Sequence, residues 1–253
     1  MKSQTKIRAA LGGLLTAAAL LAVQPAAAAP LNLTDGDMVT LDWGTGTYGH
    51  GSGGGEFMAR GVSGQVYNGA GDAFLTFCLE FNSHIGLGTA YYVDLNASAR
   101  PGGGVALTYT GDVAGVAGVN DPLSDATAWL YSKFRTNTLQ NSVAFNYASN
   151  DDANALQIAI WYLENEPATM NAKATQLKDA AVAAVAGGWR NNGSVMVMDL
   201  WETRSGTFGN YTFGGDHQDQ LYMVPVSEPE SLALLGLGLA GIGFSRRKKQ
   251  KAA

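Results

Sequence analysis

The chain has 253 residues, 33 of them glycine, with one cysteine, 16 basic and 21 acidic residues and a formal net charge of −5. That length bounds the folded body to one large domain or two small ones, and a single cysteine excludes an internal disulfide framework. No basic stripe with interleaved aromatics is present, which excludes binding of nucleic acid through phosphate neutralisation.

Residues 1–28 have the three parts of a secretory signal: basic Lys2, Lys6 and Arg8, an apolar run from Ala9 to Val23, and small Ala26, Ala27 and Ala28 satisfying the A-x-A rule. Cleavage by signal peptidase is expected before Ala29. The run is short for a membrane anchor of about 20 residues, which is the alternative reading.

Strand signals follow in "MVTLDW" (38–43), "EFMARGVSGQVY" (56–67), "FLTFCLEF" (74–81) and "AYYVDL" (90–95), each rich in β-branched or aromatic residues and separated by Gly, Asn and Asp. The glycine-rich stretch Gly44–Glu56 between the first two reads as a long loop. Three helices come next: 124–135, capped at Asp125; 150–167, capped by the Asn150–Asp152 cluster and ended by Pro167; and 171–189, stopping at Gly187 and Gly188. Strand signals return in "SVMVMDLW" (194–201) and "DQLYMVPV" (219–226). The order predicts an α+β fold, a β-rich sandwich or barrel-like domain over 29–226 with an inserted helical segment.

The chain ends in Ser227, Glu228, Pro229, an apolar, glycine-punctuated stretch Leu232–Phe244 and a basic tip with Arg246, Arg247, Lys248, Lys249 and Lys251. "GLGLAG" at Gly236 and "GTGTYG" at Gly44 both satisfy G-x-G-x-x-G, but neither opens a βαβ unit, so a dinucleotide site is not expected. The segment 227–251 resembles the PEP-CTERM sorting signal, with serine at the first proline position and Glu228 and Pro229 matching. The resemblance implies transient insertion of a short C-terminal apolar helix in the inner membrane of a Gram-negative bacterium that makes extracellular polysaccharide. An exosortase-type membrane peptidase would then process the chain for the cell surface or a biofilm matrix. Without both ends, eight basic and nineteen acidic residues remain between Pro30 and Ser227, a net charge of −11 that suits a soluble body in a hydrated matrix.

Within the second helix, Leu156, Ile158, Ala159, Ile160, Trp161 and Leu163 leave no polar face, so it is expected to be buried nearly all round. Gln157 in its middle needs partners, since an unsatisfied buried amide costs about 1–3 kcal/mol. Hydrogen bonding to a neighbouring strand is the plain expectation. "FCLEF" followed by "LQIAIWYLE", roughly 74–166, also resembles the thioester domain of bacterial surface adhesins. Cys78 falls at the cysteine position and Gln157 at the glutamine, with Ala159 and Trp161 at the family's spacing and Leu156 where a threonine is usual. The resemblance implies a Cys78–Gln157 thioester able to acylate a surface amine or hydroxyl. By strand alternation Glu80 shares a face with Cys78 and is the candidate proton acceptor.

Three functions follow: an exported structural or adhesive surface protein with Cys78 as a core residue; the same protein armed with a thioester; or a secreted hydrolase. Little supports the last, because G-x-S-x-G and H-E-x-x-H are absent and His50, His84 and His217 are scattered. Neither a turnover enzyme nor a cofactor or metal is expected, although Asp35 and Asp37 leave a calcium site open. The partners expected are the two peptidases and, at the surface, polysaccharide or amines.

Overall fold

The computed structural model describes residues 31–43, 48, 55–66, 73–99 and 121–225. The expected signal 1–28 and sorting helix therefore lie outside the described residues. In chain order the elements are β1 (Met38–Asp42), β2 (Phe57–Gly61), β3 (Phe74–Thr76), β4 (Ala90–Asn96), β5 (Ser98–Ala99) and β6 (Asp121–Pro122). Then come α1 (Asp125–Arg135), α2 (Leu139–Ser142), α3 (Asn150–Leu163) and α4 (Ala172–Ala186), followed by β7 (Val195–Thr207) and β8 (Asn210–Met223). The fold is α+β and sheet-rich, with the helices inserted between strands.

Six strands form an antiparallel sheet in the order β3-β2-β1-β4-β7-β8, and β5 pairs separately with β6. The two ends of that order meet. Beyond β3 the chain runs on to an isolated antiparallel bridge, Cys78 opposite Gln220 of β8. Leu79 N donates to Asp219 O at 3.0 Å and Leu221 N to Phe77 O at 3.1 Å. The six strands therefore close into a ring, which leaves no long unpaired sheet edge at this seam.

Alternation along the strands sorts side chains between the two faces. Val39, Leu41, Phe57, Ala59, Phe74, Tyr91, Val93, Leu200 and Tyr222 pack together with Cys78 on the face enclosed by the ring. Phe77, Leu79, Val197 and Leu221 point the other way and join Leu130, Leu156, Ile160 and Leu177 of the helical layer. Tyr131 of α1 fastens that layer to the sheet by donating to Leu75 O at 2.8 Å.

Several boundaries differ from expectation for local reasons. The predicted strand 56–67 stops at Gly61, because the chain turns through Gly64 at φ 75° and Gln65 bonds back to Val62. Strand β3 is only three residues long, Cys78 belonging to the separate bridge. The last two strands extend well past Trp201 and begin well before Asp219, forming a hairpin whose polar, glycine-rich tip hides its strand character in the sequence. Ser124 and Ser149, one residue ahead of the expected caps, accept from Thr127 N and Asp152 N. α3 ends four residues before Pro167, at a left-handed Asn165 (φ 62°) that lets Glu166 N reach Trp161 O.

Tyr222 ties the N-terminal segment to β8: its hydroxyl accepts from Leu33 N at 3.0 Å and donates to Leu31 O at 3.1 Å, all buried. Tyr222→Phe leaves both main-chain groups without that partner and is expected to lower unfolding free energy by about 1–3 kcal/mol in a denaturant titration.

Candidate functional site

The β2–β3 ladder has its last pair at Phe57 opposite Thr76. Continued two residues further, the same register would set Gly55 opposite Cys78. Instead the strands part there, and the carboxamide of Gln157 enters from α3. Its Oε1 accepts from Cys78 N at 3.0 Å and Gly55 N at 3.2 Å, while its Nε2 donates to Cys78 O at 2.8 Å. The side chain thus replaces a strand partner on both main-chain groups of Cys78 and meets Gly55 on the other side. Cys78 and Gln157 are both fully buried.

On its other edge Cys78 faces β8. There Gln218 and Asp219 together oppose the single residue Asp199 of β7, a β-bulge that shifts the register between Met198 and Leu200. Past the bulge Gln220 lies across from Cys78, and its Nε2 is 3.4 Å from Cys78 Sγ. Burial pushes the thiol up to about 12, the Gln220 contact opposing this and the Glu80 charge adding to it, so sulfur is held as the neutral thiol.

Glu80 is buried two residues along, and its Oε2 accepts from Asp219 N at 3.2 Å. Burial raises its carboxyl to about 7, with the Asp219 N–H lowering it and the Glu166 charge raising it. The turn after α3 supplies two more buried acids. Glu166 Oε2 accepts from Phe81 N at 3.1 Å, and Glu164 Oε1 from Ser124 N at 3.3 Å, at the start of α1. Desolvation lifts Glu164 to about 8 against the pull of its Thr127 and Ser124 hydrogen bonds.

Trp161, one turn beyond Gln157 on the same helix face, joins the apolar cluster that contains Cys78, and Phe81 stands edge-on to it at 4.9 Å. Ala159 packs instead with the helical layer. Two residues of this arrangement, Gly55 and Gln220, escaped the sequence reading; Gln220 ends the polar stretch Asp216–Gln220 and nothing in the sequence marks it out. The sorting residues Ser227, Glu228, Pro229, Arg246 and Arg247 lie outside the described residues.

Asp35, Asp37 and His217 have structural roles. Asp37 Oδ2 accepts from Thr34 N and Asp35 Oδ1 from Leu95 N, fixing a turn. His217 bridges Glu202 and the carbonyl of His84. Among the described residues no group of three or more metal-type ligands occurs, and no helix is long and apolar enough to cross a membrane.

Because Glu80 and Glu164 hold protons above the usual glutamate value of about 4.3, the folded state binds more protons than the unfolded chain between that value and about 8. Their contribution to stability is complete below pH ~4.3 and is lost as pH rises through about 7 and then about 8. Thermal unfolding of the exported body should therefore show Tm falling by about 5 °C or more between pH 5 and pH 9. Glu164→Gln should flatten the upper part of that fall.

Compared with known proteins, neither the curated proteins nor the solved structures contain a match to this chain. Residues 225–248 match the family model of the PEP-CTERM protein-sorting motif. The motif is that of an exported protein processed by exosortase, a membrane protease, and held transiently in the membrane before release to the cell surface. The chain therefore carries a PEP-CTERM protein-sorting motif at its C-terminal end.

Proposed function

We propose that the exported body is a surface adhesin or matrix protein that attaches covalently through a thioester between Cys78 and Gln157. One observation carries the proposal: the Gln157 carbonyl oxygen lies in a cradle of two main-chain N–H groups, one from Gly55 and one from Cys78, the residue that bears the chain's single thiol. Donors at 3.0 and 3.2 Å suit an oxygen that gains negative charge as sulfur adds to the carboxamide carbon.

The step balances without a further reagent. Sγ bonds to Cδ of Gln157, the Cδ–Nε2 bond breaks, the thiol proton passes to the departing nitrogen, and ammonia leaves. Glu80, whose carboxyl titrates near 7, is the candidate relay for that proton. Burial around Cys78 shields the product from water until a surface amine or hydroxyl reaches it. Each molecule would react once, so the protein would act as a tether and not as a turnover enzyme. Extracellular polysaccharide or surface amines are the attachment chemistry this reading implies.

A second reading has a specific observation in its favour. All three hydrogen bonds of Gln157 satisfy main-chain groups at the strand split, which is a sufficient structural reason for a buried amide. The protein would then be a non-covalent matrix component with Cys78 as a core residue. A secreted hydrolase finds no support in a nucleophile–base–acid arrangement at this site.

Intact mass separates the readings. With a thioester, purified body is one ammonia lighter than its sequence, Cys78 resists alkylation after unfolding until methylamine is added, and Gln157→Ala abolishes both effects. Full sequence mass with Cys78 alkylated directly on unfolding leaves only the structural reading.

Sorting is tested independently of this chemistry. Deleting Arg246–Lys251 should leave the chain trapped or misrouted, whereas the mature extracellular wild-type protein should lack Phe244 and the basic tip. Mature protein retaining that tip would overturn exosortase processing.

A further inference from the structure

We propose that Gln220 is a positioning residue for this chemistry: its carboxamide holds Cys78 Sγ, and its Oε1 accepts an N–H from the nitrogen that leaves or enters at the Gln157 carbonyl carbon. The inference rests on the thioester reading above and adds a second amide to it.

Two carboxamides flank Cys78, Gln157 at its main chain and Gln220 at its sulfur, and they differ in a way that assigns them different tasks. Both polar atoms of Gln157 are bonded to main chain. Gln220 differs. Its Nε2 contacts Cys78 Sγ at 3.4 Å and Gln218 O at 3.5 Å, but its Oε1, fully buried, has no hydrogen-bond partner among the described residues. An unsatisfied buried acceptor carries a desolvation penalty that an apolar side chain of the same shape would avoid. The bulge at Gln218 and Asp219 also sets the register that brings this amide opposite Cys78.

An acceptor beside the sulfur fits the one species that the chemistry brings there and the resting fold lacks. In thioester formation, the nitrogen released from Gln157 departs as ammonia, an N–H donor. When a primary amine attacks, its nitrogen bonds to Cδ, the Sγ–Cδ bond breaks, and the amine proton passes to sulfur. The second reaction with ammonia is the reverse of the first, so leaving and entering nitrogen occupy the same position. Gln220 Oε1 orients that nitrogen without taking its proton, while Nε2 keeps Sγ aimed at the carbonyl carbon.

The test uses the exported body as wild type, Gln220→Met, which removes both polar atoms, and Gln220→Glu, which keeps an acceptor oxygen. Rates of ammonia loss during refolding and of methylamine uptake are followed by intact mass over a range of methylamine concentrations, with Tm measured for each protein. Gln220→Met should retain a Gln157-dependent thioester but take up methylamine about tenfold more slowly or worse, as expected for loss of one hydrogen bond that counts in the transition state. Gln220→Glu should recover most of that rate. Equal rates in wild type and a folded Gln220→Met would overturn the role. If Gln220→Met fails to fold, a folded Gln220→Glu reacting tenfold slower than wild type overturns it as well, and a rate near wild type supports it. Ammonia loss that requires Gln220 and survives in Gln157→Ala would make Gln220 the electrophile, which also overturns it. A wild-type protein at full sequence mass defeats the thioester reading itself, and is distinguishable from every outcome above.

Discussion

A side-chain amide standing in for a strand is the constraint on which the rest of this structure depends. Where β2 and the chain beyond β3 separate, Cys78 would present an N–H and a C=O to a dry interior, and such groups are rarely left unpaired in native proteins. Gln157 meets both and also takes the Gly55 N–H. The helix must therefore lie against the seam with Gln157 turned inward, and so its other faces are buried in the helical layer. On the opposite edge of Cys78, the bridge to Gln220 closes the ring. One residue is thus held by helix on one side and sheet on the other.

Acids around this seam extend the same logic. Glu164 and Glu166, on either side of a left-handed Asn165, hold the start of α1 and the strand leaving Cys78. A short turn thereby couples two helices and the sheet. Burial holds the Glu80 and Glu164 carboxyls towards their neutral forms, so the region that orients Cys78 loses stability as pH rises.

The fold was legible where hydrophobic periodicity was strong. All three long helices, the inserted order and the apolar core of α3 follow from the sequence, because buried faces leave a periodic trace. The exposed outer halves of β7 and β8 leave none, since "RSGTFGNYTFGG" has turn composition although its backbone is paired. At the site, Cys78 and Gln157 stood out as residues at odds with an apolar interior, and the structure brings them into contact. Gly55 and Gln220 did not, because their roles depend on register: a ladder that splits, and a bulge that adds one residue. Neither event is written in composition or spacing.

The position of β8 has a mechanical consequence. The strand leads through Val224 and Pro225 directly into the segment that matches the sorting motif, so tension on a tethered C-terminus would enter the fold along β8. Antiparallel bonds to β7 on one side and to Phe77 and Leu79 on the other lie across that direction and would be loaded together in shear. Cys78 sits on the neighbouring segment, one bridge away. A load applied between the tail and an attachment at this seam would thus travel through a few residues of adjacent backbone, leaving most of the ring and the helical layer outside the line of force.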